Sequence, residues 1–271
     1  MILSDHVFLY CERGMSGALL AEPFNAASNG AFLLAALAGL LFLLRRPVGE
    51  RSADQFLLVM LVFLVGLGSL AFHLFATEGA KLADVVPIDV FMLVYLGFAL
   101  NRFLRVPPGW TVLLLIGFTG IVGMTMQLKC WDGAIGFPST DVPGASACLN
   151  GSAVYLPALL AMLIVGTMLR ERGHGAAPYI LWAALIFTVS VAFRSLDLAL
   201  CDALTMDGRK VGTHFVWHLL NGLALFLLLR ASLEVGPAEA GRRLSQPPRD
   251  TTKADPREAD AEAVTPRRFP L

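Results

Sequence analysis

The stretch GLGSLAFHLF, residues 66–75, sets a serine and a histidine, Ser69 and His73, four positions apart at the end of a long apolar run. Four residues are about one helical turn, so both side chains share a face. The stretch THFVWH repeats the spacing with two imidazoles, His214 and His218. Histidines at i and i+4 are how a helix presents two ligands to one metal. His73, from a different helix at the same depth, completes a set of three. Three protein ligands with an open fourth position are the arrangement of a catalytic zinc. Only five histidines occur in the whole chain, so three of them at the ends of apolar segments is a concentrated signal.

Other polar residues gather near this layer. Asp84, in KLADVVPID, is read as beginning the third membrane helix, near enough to the histidines to act on a water at the metal. Asp89 lies deeper, as a buried supporting group or the mark of a misjudged boundary. Ser69 faces wherever His73 faces, although GLGS also reads as a small-residue packing face. Glu12 and Glu22 flank the approach to the first helix, and Asn25, Ser28 and Asn29 follow as a polar stripe at i, i+3 and i+4. That group suits either a hard cation such as calcium or a structural hydrogen-bond site. Arg194 and Asp197, in FRSLDLALC, are spaced to pair at i, i+3; alternatively Asp197 orients a ligand histidine.

The elements that must position these residues are membrane helices. The chain has 271 residues, 56% hydrophobic and 15% charged, with a mean hydropathy of +0.67. Such a composition belongs to a polytopic membrane protein whose surroundings are a lipid bilayer. The formal net charge of zero gives no basis for a nucleic-acid partner. The start, MILSDHVFLYCERG, lacks a basic stretch followed by an apolar one, so no cleavable signal is expected. A helix needs about 20 mostly apolar residues to cross a bilayer. Seven segments qualify: 23–44, 55–75, 83–104, 109–128, 151–169, 178–200 and 213–230. The predicted fold is therefore all-α, a seven-transmembrane helix bundle over 23–233. An outward-facing N-terminal segment, 1–22, precedes it, and a disordered cytoplasmic tail, 234–271, follows.

One set of short loops carries Arg45, Arg46, Arg51, Arg102, Arg105, Arg170 and Arg172, and Arg230 opens the tail on that side. The other set carries Arg13, Lys81, Lys129, Arg209 and Lys210 over longer segments. The bias predicts an outward N-terminus, a cytoplasmic C-terminus and a site facing the non-cytoplasmic side of a bacterial inner membrane or its equivalent. All four cysteines then fall on the outward side, where an oxidising compartment lets them pair. Cys130 with Cys148 closes the long loop, 129–150, and Cys11 with Cys201 ties the N-terminal segment to the sixth helix; other pairings stay open.

Taken in order, YCER…AEPFNAASN, GLGSLAFH, LADVVP, FRSLDLALC and THFVWH resemble the alkaline ceramidase family, part of a wider superfamily of seven-span hydrolases. The resemblance covers nearly all of the chain except the tail. It implies a zinc ion held by His73, His214 and His218, with Ser69 and Asp84 as the catalytic pair. It also implies a disulfide between Cys11 and Cys201. One part departs from the family. Eukaryotic members bind calcium through an acidic segment that begins with an aspartate–tryptophan pair, whereas this chain reads Leu9–Tyr10, and Arg13 stands where an acid is expected.

The function expected from the resemblance is hydrolysis of the amide bond of ceramide or another N-acyl lipid, giving a fatty acid and a long-chain base. Two alternatives share the same residues. One is a lipase or esterase of the superfamily acting on another membrane lipid. The other is a non-catalytic, zinc-stabilised seven-helix protein of receptor type. A transporter is disfavoured, because no broken helix with charge stands at the midplane.

Overall fold

A low density of charge leaves most of the chain no choice but helix in an apolar medium, since each backbone N–H and C=O must be paired within its own segment. The computed structural model describes residues 3–128 and 148–234. Most of the predicted long loop, with Cys130, lies outside the described residues, as does the predicted tail from 235 onward.

Seven helices among the described residues are long and apolar enough to cross a membrane. The first span joins α1 (Pro23–Ser28) to α2 (Gly30–Leu44) at Asn29. The others are α3 (Ala53–Phe75), α4 (Glu78–Phe98), α5 (Pro108–Met126), α6 (Leu156–Glu171), α7 (Ala177–Leu196) and α8 (His214–Ser232). A π-turn, Ala99–Phe103, extends α4, and a 3-10 segment, Cys148–Tyr155, leads into α6. Between α7 and α8 lies a short antiparallel hairpin of β1 (Thr205–Met206) and β2 (Arg209–Lys210). Phe32, Leu58, Val62, Val65, Leu169, Ile180 and Leu229 fill the centre of the bundle. Helix α5 is the outlier: only Thr111 and Phe118 of it are buried.

Two predicted boundaries are corrected. The third span starts at Glu78 rather than 83, because Thr77 caps it by accepting from the Ala80 amide at 3.2 Å. Asp84 therefore sits in the second turn of α4 instead of at its first residue. The sixth helix ends at Leu196 rather than 200, with Asp197 as its C-cap, still in helical geometry, and its carboxylate turned to the start of α8.

The turn from α3 to α4 is tight, with Ala76 in the left-handed region at φ 46°. The two helices then run in close contact, and one pair of residues explains how. Pro87 lies inside α4 and has no N–H, so the helical bond that would reach the Ala83 carbonyl cannot form. Gly68 of α3 packs directly on that carbonyl; a Cβ at Gly68 would collide with the Ala83 oxygen and lie 3.1 Å from the Asp84 nitrogen. A backbone approach this close needs glycine, and it supplies Cα–H···O contact to an otherwise deprived carbonyl. The consequence is local: Ser69 and Asp84, the next residues on each helix, become neighbours.

Gly68→Ala is expected to destabilise the purified protein by about 1–3 kcal/mol, as overpacking against backbone does. Gly120→Ala, where nothing lies within 4 Å of the added carbon, is expected to be neutral. Thermal unfolding in detergent reads the difference, and equal midpoints for the two variants contradict the close approach.

Candidate metal centre

His73 comes from the last turn of α3, and His214 and His218 from the first two turns of α8. All three are 1–2% exposed. Their ring centroids are 5.2 Å (His73–His214), 4.7 Å (His73–His218) and 4.6 Å (His214–His218) apart. One nitrogen from each ring lies within 4.8 Å of the others. His73 Nε2, His218 Nε2 and His214 Nδ1 are buried with no hydrogen-bond partner. Buried polar atoms are rarely left so, and three neighbouring imidazoles with such atoms fit a metal ion.

The opposite nitrogens of His73 and His218 are held. His73 Nδ1 is 2.6 Å from Glu22 Oε2. A carboxylate only accepts, so Nδ1 carries a hydrogen, and Nε2 is the nitrogen left to face another partner. His218 Nδ1 is 2.8 Å from Ser28 Oγ, whose own proton goes to the Asn25 carbonyl at 2.9 Å. The serine therefore accepts from His218 Nδ1–H, and Nε2 is again the nitrogen left to face another partner. Ligating histidines are oriented by such partners. The Ser28 and Glu22 contacts span 190 and 51 residues, which is why their roles were not readable from local spacing.

Glu22 is the hub of the N-terminal segment. Its Oε1 accepts from Arg13 Nε, and its Oε2 also accepts from Asn25 Nδ2 at 2.9 Å. Arg13 continues to the His73 carbonyl at 2.7 Å and to the Ser16 and Ala18 carbonyls. Burial pushes the Glu22 carboxyl up, but His73, Asn25 and Arg13 outweigh it and hold the group below its usual range. Glu12 caps α1, accepting from the Phe24 and Asn25 amides at 2.8 and 2.9 Å. Burial raises Glu12 despite those two amides. Glu12, Glu22 and Asn25 are thus hydrogen-bonded within the protein beside the Arg13 charge, while Asn25 Oδ1 is buried without a partner.

Asp197 does not pair with Arg194. Its Oδ1 accepts from the Thr213 and His214 amides at 2.7 and 2.9 Å, and its Oδ2 from the Cys11 amide at 2.9 Å. Burial raises its carboxyl against the pull of those three amides. A carboxylate at the first amides of α8 also suits the helix dipole. Asp197 therefore positions His214 through the main chain, and the predicted support does not reach the ring. Gly212, at φ +65°, leaves the room: a Cβ there would meet the Asp197 carboxylate and Cys11. Arg194 instead donates to the Asn150 carbonyl at 2.8 Å and to Ser152 Oγ at 2.9 Å.

Cys11 and Cys201 form a disulfide, so that of the open pairings this one is present. It fixes the residue before the Glu12–Arg13 pair. Tyr10, on its other side, stacks on His214 with ring centroids 3.7 Å apart.

Ser69 is 3% exposed and lies in hydrogen-bonding reach of Asp84, which is 8% exposed. Asp84 Oδ1 is buried without a partner. Asp89 is half-buried and stands apart from this cluster in α4. One turn beyond Asp84 and His218, an apolar cavity opens between the helices, with about 810 Å³ of space including its openings. Its wall runs along α4 and into the π-turn after it, from Ile88 to Ala99, about 16 Å at 1.5 Å per residue. Phe91, Val165, Phe187 and Leu225 line it, with Asn221 at its polar end, and α5 contributes only Phe118.

A family model described as Ceramidase matches residues 9–235, a span that contains every residue of the cluster. No curated protein matches the chain.

Cys201→Ser releases the segment that carries Tyr10, Glu12 and Arg13. Loss of this long-range link is expected to cost about 2–4 kcal/mol of stability, read by thermal unfolding. Non-reducing peptide mapping is expected to recover Cys11 joined to Cys201; a different partner for Cys11 contradicts the assignment.

Proposed function

Because the chain belongs to the ceramidase family, we propose that it is a zinc-dependent amide hydrolase, cleaving ceramide-like N-acyl lipids within the membrane to a fatty acid and a long-chain base. The observation that carries this reading is the meeting of three buried imidazoles, each with an unpartnered nitrogen, and a buried carboxylate with an unpartnered oxygen. Three neutral nitrogen donors suit zinc, and His73, His214 and His218 would hold it. A bound zinc would supply the positive charge that makes a water nucleophilic at neutral pH and polarises a carbonyl.

The protein's own groups do the rest. Asp84 Oδ1, free of other partners, accepts a proton from the attacking water as its oxygen bonds to the carbonyl carbon. The same carboxyl then gives that proton to the nitrogen as the C–N bond breaks. Ser69 turns its hydroxyl from Asp84 to the carbonyl oxygen and donates as charge builds there. Burial of the cluster excludes other water, which strengthens each of these interactions.

The cavity below the cluster suits the acyl chain, since its wall is almost wholly apolar and begins one turn from Asp84 and His218. The lightly packed α5 is the natural side for lipid to approach from the bilayer. Glu12, Glu22 and Asn25 serve as structural groups on this reading, and calcium is not required to hold them. The site faces the non-cytoplasmic side, in keeping with the arginine-rich loops at the other end of the bundle.

The test is mass spectrometry of lipids after incubation of the purified protein with a panel of N-acyl lipids, with and without a zinc chelator. Chelator-sensitive release of fatty acid is expected. His214→Ala is expected to lose both stoichiometric zinc and hydrolysis. Ser69→Ala is expected to keep zinc while turnover falls about 100-fold. Hydrolysis that survives His214→Ala contradicts the ligand assignment.

A further inference from the structure

Two groups beside the histidines are unused by that mechanism: Tyr10 and Arg194. Tyr10 is 5% exposed. Its ring stacks on His214 at 3.7 Å and lies 5.2 Å from His73, centroid to centroid. Asp84 and Arg194 are both near its phenol. The guanidinium of Arg194 sits over the rings of Tyr155, at 5.3 Å, and Trp217, at 5.7 Å. One of its terminal nitrogens is bound by Asn150 and Ser152. Among the described residues, no carboxylate forms an ion pair with it.

A guanidinium has only donors. A phenol that meets it can therefore only accept from it, which leaves the phenol's own proton to be donated elsewhere. Asp84, with its unpartnered Oδ1, is near that phenol, and the Tyr10 ring itself lies against His214 and His73. A half-buried cation among aromatic rings without a paired counter-ion favours the arrival of negative charge. Amide hydrolysis makes such a charge, first on the carbonyl oxygen and then on the carboxylate product.

We propose that Tyr10 donates a second hydrogen bond, alongside Ser69, to the substrate's carbonyl oxygen, and that Arg194 is the positioning residue that fixes the Tyr10 phenol and polarises it. This rests on the amide-hydrolase reading. It concerns a residue that the recognised pattern of serine, aspartate and three histidines does not include. No proton changes owner in this role: Tyr10 keeps its O–H, and Arg194 keeps its charge. The substrate feature recognised is an sp² carbonyl oxygen that becomes tetrahedral.

Tyr10→Phe keeps the ring on His214 and removes only the donor. Its kcat is expected to fall about 100-fold, as loss of one oxyanion donor does, while KM and zinc content stay within about twofold of wild type. Arg194→Gln is expected to give a similar fall in kcat. The double variant is expected to lie within about threefold of either single one, because the two act through one hydrogen bond. Arg194→Lys keeps the charge without the planar fork and is expected to recover only part of the loss. An unchanged kcat in Tyr10→Phe overturns the proposal, and so do losses that multiply in the double variant. If the ring merely propped His214, Tyr10→Phe would be silent and Tyr10→Leu would lose zinc. A wild type that hydrolyses no N-acyl lipid removes the hydrolase reading and this role with it.

Discussion

One buried carboxylate, Glu22, holds the polar end of this bundle together. It accepts from Arg13, His73 and Asn25 at once, and so ties the N-terminal segment, the end of α3 and the start of α1 to one charge. Placing a carboxylate out of water is expensive unless its oxygens are filled with donors. Here they are filled, and the filling has a direction. Because Glu22 accepts from His73 Nδ1–H, Nε2 is the nitrogen left without a partner. Removing the carboxylate would leave a buried guanidinium without its partner as well as a free imidazole. The cost of keeping Glu22 and the orientation of a proposed ligand are thus the same fact.

The rest of the molecule divides into a polar cap and an apolar bore. The cap is built from long-range constraints: the Cys11–Cys201 bridge, Asp197 spanning Cys11 and the start of α8, and the Gly68–Ala83 contact that sets Ser69 beside Asp84. None of these is a helix-forming feature. They fix where helix ends meet, and the candidate chemistry lies where the ends meet. The bore is the cavity along α4, closed by packing on most sides and lightly covered by α5. A lipid amide has the matching division, a polar bond attached to a long apolar chain. The proposed function joins these two halves.

Much of this was legible in the sequence, for reasons that also mark its limits. The seven spans stood out because apolar length is a crude and strong signal. The histidine trio stood out because i, i+4 spacing survives into the folded helix unchanged. The Arg194–Asp197 pair did not form although the spacing stays helical through Asp197, because three amides from distant segments fill the carboxylate and Asn150 and Ser152 hold the guanidinium. Glu22 was noticed as an acid near the first helix, but its partner lies 51 residues away, and no local period encodes that. Ser28 appeared as one member of a polar stripe, and only folding brings it to His218. Tyr10 drew notice merely as a departure from a family pattern. The cavity left no trace at all, because a phenylalanine that lines a void reads the same as one that fills it.

The central claim is that three imidazoles, from α3 and α8, converge on one divalent ion. X-ray absorption at the zinc edge of the purified, zinc-loaded protein tests it without reference to catalysis. Three nitrogen neighbours at about 2.0–2.1 Å with the multiple-scattering signature of imidazole, completed by a lighter oxygen contribution, is the expected result. A first shell with sulfur, with one or two imidazoles, or with carboxylate oxygens alone contradicts the convergence.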